Sequence, residues 1–566
     1  MAARDWLWPP LSTYHRAMNG PRHDPGRDEV AGEDRLRSWK SIANYLGCST
    51  RTARRWEAEE GLPVHRHMHQ TQGSVYAYRS EIDAWRKRGE TETVRPRRVP
   101  PPVSSDAPAI AVLPFTYVGP DAASDYLADG FTEEVIADLA KIRGLRVISR
   151  TSAMALRHTD KDARRIAEEL SVGHLLEGTV RRHGNQLRIS VRLIDPGQDR
   201  PLWGQKYEGA LDDVFVIQEQ IARQVARAMK LHLSAGDNRR LSRHALDSVS
   251  AWQLALQARQ ESLRWRRESI DRAVQLLESA IASAGDSATL LAALGRTWLQ
   301  YREAGIDLGK RPIQQAETCA RKILAGDPDS AAGLQLRGWI RYSAGDVQEA
   351  VKDLNAALEQ DWNDPDVLGL LANCYLISGR VTIARPLIDR LLVVDPLTPL
   401  NRCLPGWADA LEGRFEPAIG PYRDMFEMDP GNPVARLFYV WILASAGRSA
   451  EASSIAQGFP DSARETPAAR VAALLTAEAG QRRIEVKELE ETGVASDVFP
   501  RLLAQSCAVA GDRDAALHWL RIAVERGFIN YPYLAEHDPL LEPLREDPRF
   551  QELLETVRTR WEQFEG

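Results

Sequence analysis

Arg51, Arg54 and Arg55 share one outer side of a short segment that opens on the hydroxyls of Ser49 and Thr50. A guanidinium is a rigid fork of donors that can hold two acceptors of one base edge together or clasp a phosphate, so such a cluster suits a polyanion. The surrounding sequence supports that chemistry. Upstream, Trp39, Ile42, Ala43 and Leu46 form an apolar stripe at helical spacing that stops at Gly47. A second helix begins at Ser49 or Thr50, where a side-chain oxygen can cap free backbone amides. Two short helices joined by a glycine turn, the second of them basic, form a helix-turn-helix.

Gly61 and Pro63 end the second helix. VHRHMHQTQGSVYAYRS then reads as two strands around a Gln-Thr-Gln-Gly turn, and Ser80 caps a last helix whose Ile82 and Trp85 can pack back onto the first two. This order resembles the winged helix-turn-helix of the MerR and excisionase-type families over residues 35–89, on the motif IANYLG-x-S-x-R-T-x-x-RW followed by a wing. The resemblance implies that Thr50, Arg51, Thr52 and Arg55 face the major groove and that Ser49 and Arg54 meet phosphates. It places His65, Arg66 and His67 on the wing, and double-stranded DNA is the expected partner. One head offers a single half-site, so self-association or assembly with a partner is expected as well. His65, His67 and His69 alternate along a strand as metal ligands can. No cysteine or carboxylate stands close by in the sequence and Arg66 and Arg79 repel a cation, so no metal is expected.

The second strong signal is a period of 34 residues, held by Gly345, Gly379, Gly413 and Gly447, by Ala350, Ala384, Ala418 and Ala452, and by Pro365, Pro399, Pro433 and Pro467. The period is that of tetratricopeptide repeats, paired helices stacked into a superhelix, here over residues 245–566. Each glycine suits a left-handed helix end, each alanine a close helix contact, and each proline a first helical turn. Trp339, Asn373, Trp407 and Trp441 fall on one equivalent position, which the family pattern turns toward the concave groove. An aromatic ladder there could grip a protein or peptide ligand, or could simply fill a tight superhelix. The neighbouring positions Gln335, Gly369, Cys403 and Leu437 hold no lysine, so a basic clamp for a carboxyl terminus is not expected.

Between these parts, a proline-rich linker (90–106) leads into a region of mixed strands and helices (107–235), an α/β layered unit. IAVLPF, DYLADGFTEEVIADLAKIRGLRVISRTS, LLEGTVRRHGNQLRISVRLID and WGQKYEG–FVIQEQIA resemble the TolB amino-terminal-like domain. That resemblance implies a sensing or protein-binding module. Asp125, Asp129, Glu133 and Glu134 read as charges that offset a helix dipole. Arg150, Thr151 and Ser152 read as a loop after a strand.

Composition agrees. The net charge is −6, yet residues 35–89 carry 11 Lys/Arg against 5 Asp/Glu, so a basic head sits on an acidic body. Cys48, Cys319, Cys374, Cys403 and Cys507 form no CxxC pair, which fits a reducing cytoplasm. Residues 1–34 lack periodicity and are expected to be disordered. No apolar run suggests a signal peptide or membrane span. No phosphate loop, nucleophile elbow, zinc-protease or calcium-loop motif occurs (AGIDLGKR at 304–311 is one residue short), so neither an enzyme nor a cofactor is expected. The expectation is a multidomain cytoplasmic transcriptional regulator, with a winged helix-turn-helix, an α/β middle domain and an all-α repeat superhelix. The alternatives are an assembly scaffold whose head does not bind DNA, and a small-molecule sensor acting through the middle domain.

Overall fold

The structure is a computed structural model that describes residues 35–36, 38–46, 50, 62–67, 74–83, 108–119, 125–198, 200–242, 246, 248–464, 466–477 and 497–565. The chain divides into two compact units, Met1–Val99 and Pro100–Gly566.

In the first unit, strand β1 (Arg35–Leu36) precedes helix α1 (Trp39–Leu46), followed by β2 (His65–His67) and β3 (Ser74–Tyr78). β3 lies between the other two strands, antiparallel to both. The β2–β3 pairing is the hairpin expected from the sequence; β1 is an addition, too short to carry a period. Ser38 caps α1 through its Oγ, which accepts from the Ser41 amide at 3.1 Å. The stripe Ile42, Ala43 and Leu46 packs with Leu36, Leu62, Ala77 and Ile82 into one small core, with Trp39 against it.

The second unit opens with a mixed sheet in the order β6-β4-β7-β8-β9. β4 (Ala109–Val112) pairs in parallel with β6 (Arg146–Val147) and β7 (His174–His183). β8 (Gln186–Asp195) and β9 (Arg200–Ala210) continue as antiparallel ribbons, and β5 (Thr116–Tyr117) runs parallel to the far end of β7. One face is covered by α2 (Asp125–Ala140) and α5 (Val214–Ala228); the other is covered over its parallel half by α3 (Arg150–Ala155) and α4 (Ala163–Leu170). β4 is buried on both faces, as a central parallel strand must be, and this explains its unbroken apolar run. The segment 145–150 is mostly not a strand: only Arg146–Val147 pair, because Ser149 already caps α3.

Helix pairs follow. Val249–Ser262 with Arg267–Ala284, Ala288–Glu303 with Lys310–Gly326, Ala331–Ser343 with Val347–Leu358, and Pro365–Ile377 with Val381–Val394 lead to three-part and two-part repeats over 399–457. The 34-residue register has its physical counterpart here. Gly345, Gly379, Gly413 and Gly447 lie at φ between +71° and +84°, where a Cβ would be strained. Ala350, Ala384, Ala418 and Ala452 are wholly buried, and each of the four prolines stands in the first turn of its helix. After Val498–Val509 and Arg513–Glu525, residues 526–565 turn back along the earlier repeats. Ile529 donates its amide to Ile377 O at 3.0 Å, and Arg380 donates to the carbonyls of Trp561 and Phe564.

Candidate nucleic-acid interface and repeat face

Of the residues expected at DNA, Ser49, Arg51, Thr52, Arg54 and Arg55 lie outside the described residues. Thr50 is helical and exposed. His65 is on β2, opposite Tyr76, and the backbones of Arg66 and His67 pair with Val75 and Ser74. His65 Nε2 meets Glu81 Oε2 at 2.6 Å, and its ring stacks on Tyr76 with centroids 5.1 Å apart. A carboxylate therefore does stand beside this histidine, sixteen positions away in sequence, brought there by the helical turn at 79–83. That contact ties the ring inward and leaves its half-exposed edge as the part open to a ligand. Tyr45 Oη donates to Asp83 Oδ2 at 2.8 Å and Arg79 lies over the Tyr45 ring, so α1 is fastened to the same turn. Among the described residues no group of three or more His, Cys, Asp or Glu is placed to hold a metal ion.

The repeat face differs from an open aromatic groove. Trp441 is 1% exposed and Trp407 6% exposed. Their cover is the chain's own carboxyl-terminal part. Arg501 places its guanidinium 4.4 Å from the Trp407 ring centre, 5.1 Å from that of Trp441 and 5.5 Å from that of Phe528. Trp441 Nε1 donates to Gln505 Oε1 at 2.9 Å, and Gln505 Nε2 donates to Asp538 at 2.7 Å and Tyr533 at 3.2 Å. Trp407 and Trp441 are thus not open to a peptide in this structure, and of the two uses weighed for them they serve the filling of the superhelix. The physical reason is length: the chain runs on past the regular repeats for long enough to return and seal them. Trp339 and Asn373 stay half-buried. The Trp339 indole meets the Glu303 carboxylate, and Asn373 Nδ2 donates to Tyr342 Oη at 3.2 Å. Cys374 and Cys403 are buried, and burial pushes the Cys403 thiol up to about 12, which makes it inert.

The middle domain holds side-chain pairings that no local pattern announces. Asp125 stands in the first turn of α2, where it opposes the helix dipole as expected. Asp129 and Glu133 do something else: Asp129 pairs with Arg157, and Glu133 pairs with Arg150 at 3.1 Å and with Arg259 of the first repeat. Arg150, Thr151 and Ser152 begin α3 rather than forming a plain loop. Ser152 Oγ donates to Asp395 at 2.6 Å and accepts from the Leu397 amide at 2.8 Å, and Ser149 Oγ also donates to Asp395. Asp395-Pro396 reads in the sequence as an ordinary repeat end; its partners lie over 240 positions away, beyond any periodicity.

Comparison with known proteins places two of these parts. Residues 105–223 match the family model described as the second domain of the HilA/YgeH-like transcriptional regulators. This is the stretch whose motifs resemble the TolB amino-terminal-like domain. Residues 307–365 and 341–400 match tetratricopeptide-repeat models. A Rhizobium meliloti protein described as "Putative adenylate cyclase 3" is 36% identical over 182 residues, which is 32% of this chain and 31% of that protein. The chain thus spans under a third of that relative's length. Among solved structures, a thermophilic tetratricopeptide protein from Thermus thermophilus is 18% identical, with a TM-score of 0.29 over 34% of this chain and 98% of its own. A tetratricopeptide protein from Parabacteroides merdae is 13% identical, with a TM-score of 0.30 over 55% of this chain and 100% of its own. The chain carries a HilA/YgeH-like regulator domain joined to tetratricopeptide repeats.

Proposed function

We propose that this protein is a DNA-binding transcriptional regulator whose middle domain and repeats receive a protein partner or signal. The observation that carries the reading is the match of residues 105–223 to a domain of transcriptional regulators, in a chain whose amino-terminal unit has a basic helix-turn-helix sequence. The described part of that unit supports it: a capped helix, a β-hairpin and a common core are what a small head needs to present a second helix to a groove. In this reading Arg51 and Arg55, with Thr50 and Thr52, read base edges. Ser49 and Arg54 meet phosphates, and His65, Arg66 and His67 border the backbone from the hairpin. The head acts in the cytoplasm, and no helix among the described residues is long and apolar enough to cross a membrane. Two copies, or a copy and a partner, supply the second half-site.

Footprinting of the intact protein on genomic DNA tests the proposal. A discrete protected sequence that survives rising salt supports sequence readout, because the phosphate contribution fades first. The double change Arg51→Ala and Arg55→Ala should abolish that protection while leaving the fold intact. Unchanged DNA binding in the double variant would refute the head's assigned role and favour a scaffold.

A further inference from the structure

α3 and α4 cover only half of one face of the middle sheet. Leu175, at the start of β7, packs beneath Leu156, Ile166 and Leu170. From the next row onward, no residue of these strands joins the core beneath α3 and α4. There the cross-strand partners are Glu177, Arg192 and Gly204, and then Thr179, Ser190 and Lys206. Directly opposed residues share a face, so each trio forms a row on this open side. A cavity of about 1000 Å³ occupies the step between the last turn of α3 and these rows. Its inner wall is apolar, from Leu113, Leu156 and Ile166.

The polar floor is not self-satisfied. Arg192 is paired with Glu177 at 2.6 Å, and Arg157 on the wall with Asp129. Asp125, on the opposite wall, offsets its own helix terminus. By contrast no side-chain hydrogen bond or ion pair engages Thr179, Ser190 or Lys206 among the described residues. Two hydroxyls and one ammonium thus stand in register on three adjacent strands, roughly 4.8 Å from one to the next. Gly204 keeps the floor beside Lys206 low, since it has no side chain to stand in the cavity. Donors so spaced suit the oxygens of a single oxyanion, and the apolar wall suits an organic body attached to it.

We propose that the middle domain binds a small organic oxyanion, a phosphate monoester or a carboxylate with an apolar body, through Thr179, Ser190 and Lys206. The site deepens the regulator reading by naming the class of its signal, and it rests on that reading only for its purpose. Loss of binding here leaves DNA footprinting intact, and loss of footprinting leaves binding here intact, so the two fail separately.

The test is calorimetric titration of the full chain with phenyl phosphate, phenylacetate and inorganic phosphate. At least one aromatic probe should bind in the millimolar range or better, and more tightly than inorganic phosphate; which one binds separates a phosphate from a carboxylate ligand. Lys206→Gln, an exposed change that leaves the core untouched, should weaken that probe about tenfold, as loss of a charge-assisted bond does. The pair Thr179→Val and Ser190→Ala should weaken it further, with the thermal midpoint of the free protein unchanged. Failure of both aromatic probes to bind at millimolar concentration would overturn the proposal. So would an affinity that Lys206→Gln leaves unaltered.

Discussion

The middle domain touches the repeat array at two places, one mainly apolar and one centred on polar groups. The first is an apolar seam between α2, α5 and Val249–Ser262. Trp252 is 2% exposed with its ring 6.0 Å from that of Phe215, and Gly130 lets Leu256 approach so closely that a Cβ would overlap it. The second is a polar latch at the end of the fourth helix pair, where Asp395 accepts from Ser149 and Ser152 and the Ser149 amide donates to Val394 O at 2.7 Å. Seam strength grows with buried area and depends little on geometry. Latch strength depends on angle and on every partner being present, because each buried group left alone is penalised. The latch closes the arch of repeats back onto the domain that carries the proposed cavity, and it should be the contact more sensitive to loss of a single polar partner.

The largest effect that would expose this difference is at the seam. Trp252→Ala removes a buried aromatic and should lower the stability of the second unit by about 4 kcal/mol. Denaturant titration should show an earlier transition shared by the middle domain and first repeats. At the latch, Asp395→Ala leaves two serine hydroxyls without their acceptor and should cost about 3 kcal/mol locally. Hydrogen exchange should quicken at Ser149 and Leu397 while the denaturant midpoint moves little. A midpoint shift as large as that of Trp252→Ala would erase the distinction between latch and seam.

The seam also carries a titration. Burial and the neighbouring Asp138 carboxylate push Glu134 up from 4.5 to about 7. A carboxyl raised on folding is neutral in both states below its unfolded value, so stability is full there. It declines as pH rises through the window from 4.5 to about 7, where the unfolded chain ionises first. The expected loss is on the order of 2 kcal/mol once partial exposure is discounted. Glu134→Gln should flatten the stability profile between those values; a profile as steep in the variant would assign the slope to another group.

What the sequence made legible follows from range. The 34-residue period, its glycine turns and its prolines report contacts within a repeat and its neighbour, and they appear in the fold at the same positions. The β-hairpin of the head was readable for the same reason, since β2 and β3 are close in sequence. Arg501 on Trp407, Glu81 on His65 and Asp395 on Ser149 were not readable, because each pair joins residues whose spacing is set by the closed fold. Trp407 and Trp441 share one register position in the sequence, but what faces them depends on where the chain goes after the repeats end. The basic second helix of the head remains an expectation from sequence, as residues 51–61 lie outside the described residues.

The smallest and sharpest test concerns Asn401. Its Nδ2 donates to Asp395 Oδ2 at 2.7 Å, on the carboxylate oxygen that the serines do not use, so it fixes the orientation of the carboxylate without touching the middle domain. Asn401→Ala should therefore cost only about 1 kcal/mol, the net value of one hydrogen bond. If the latch acts as a unit, that loss should vanish in an Asp395→Ala background, since the group being oriented is gone. Hydrogen exchange at Ser149 reads the coupling directly: faster in each single variant, and no faster in the double variant than in Asp395→Ala alone. Additive acceleration would mean that Asn401 holds the repeat turn independently, and that the latch consists of the two serines and the carboxylate only.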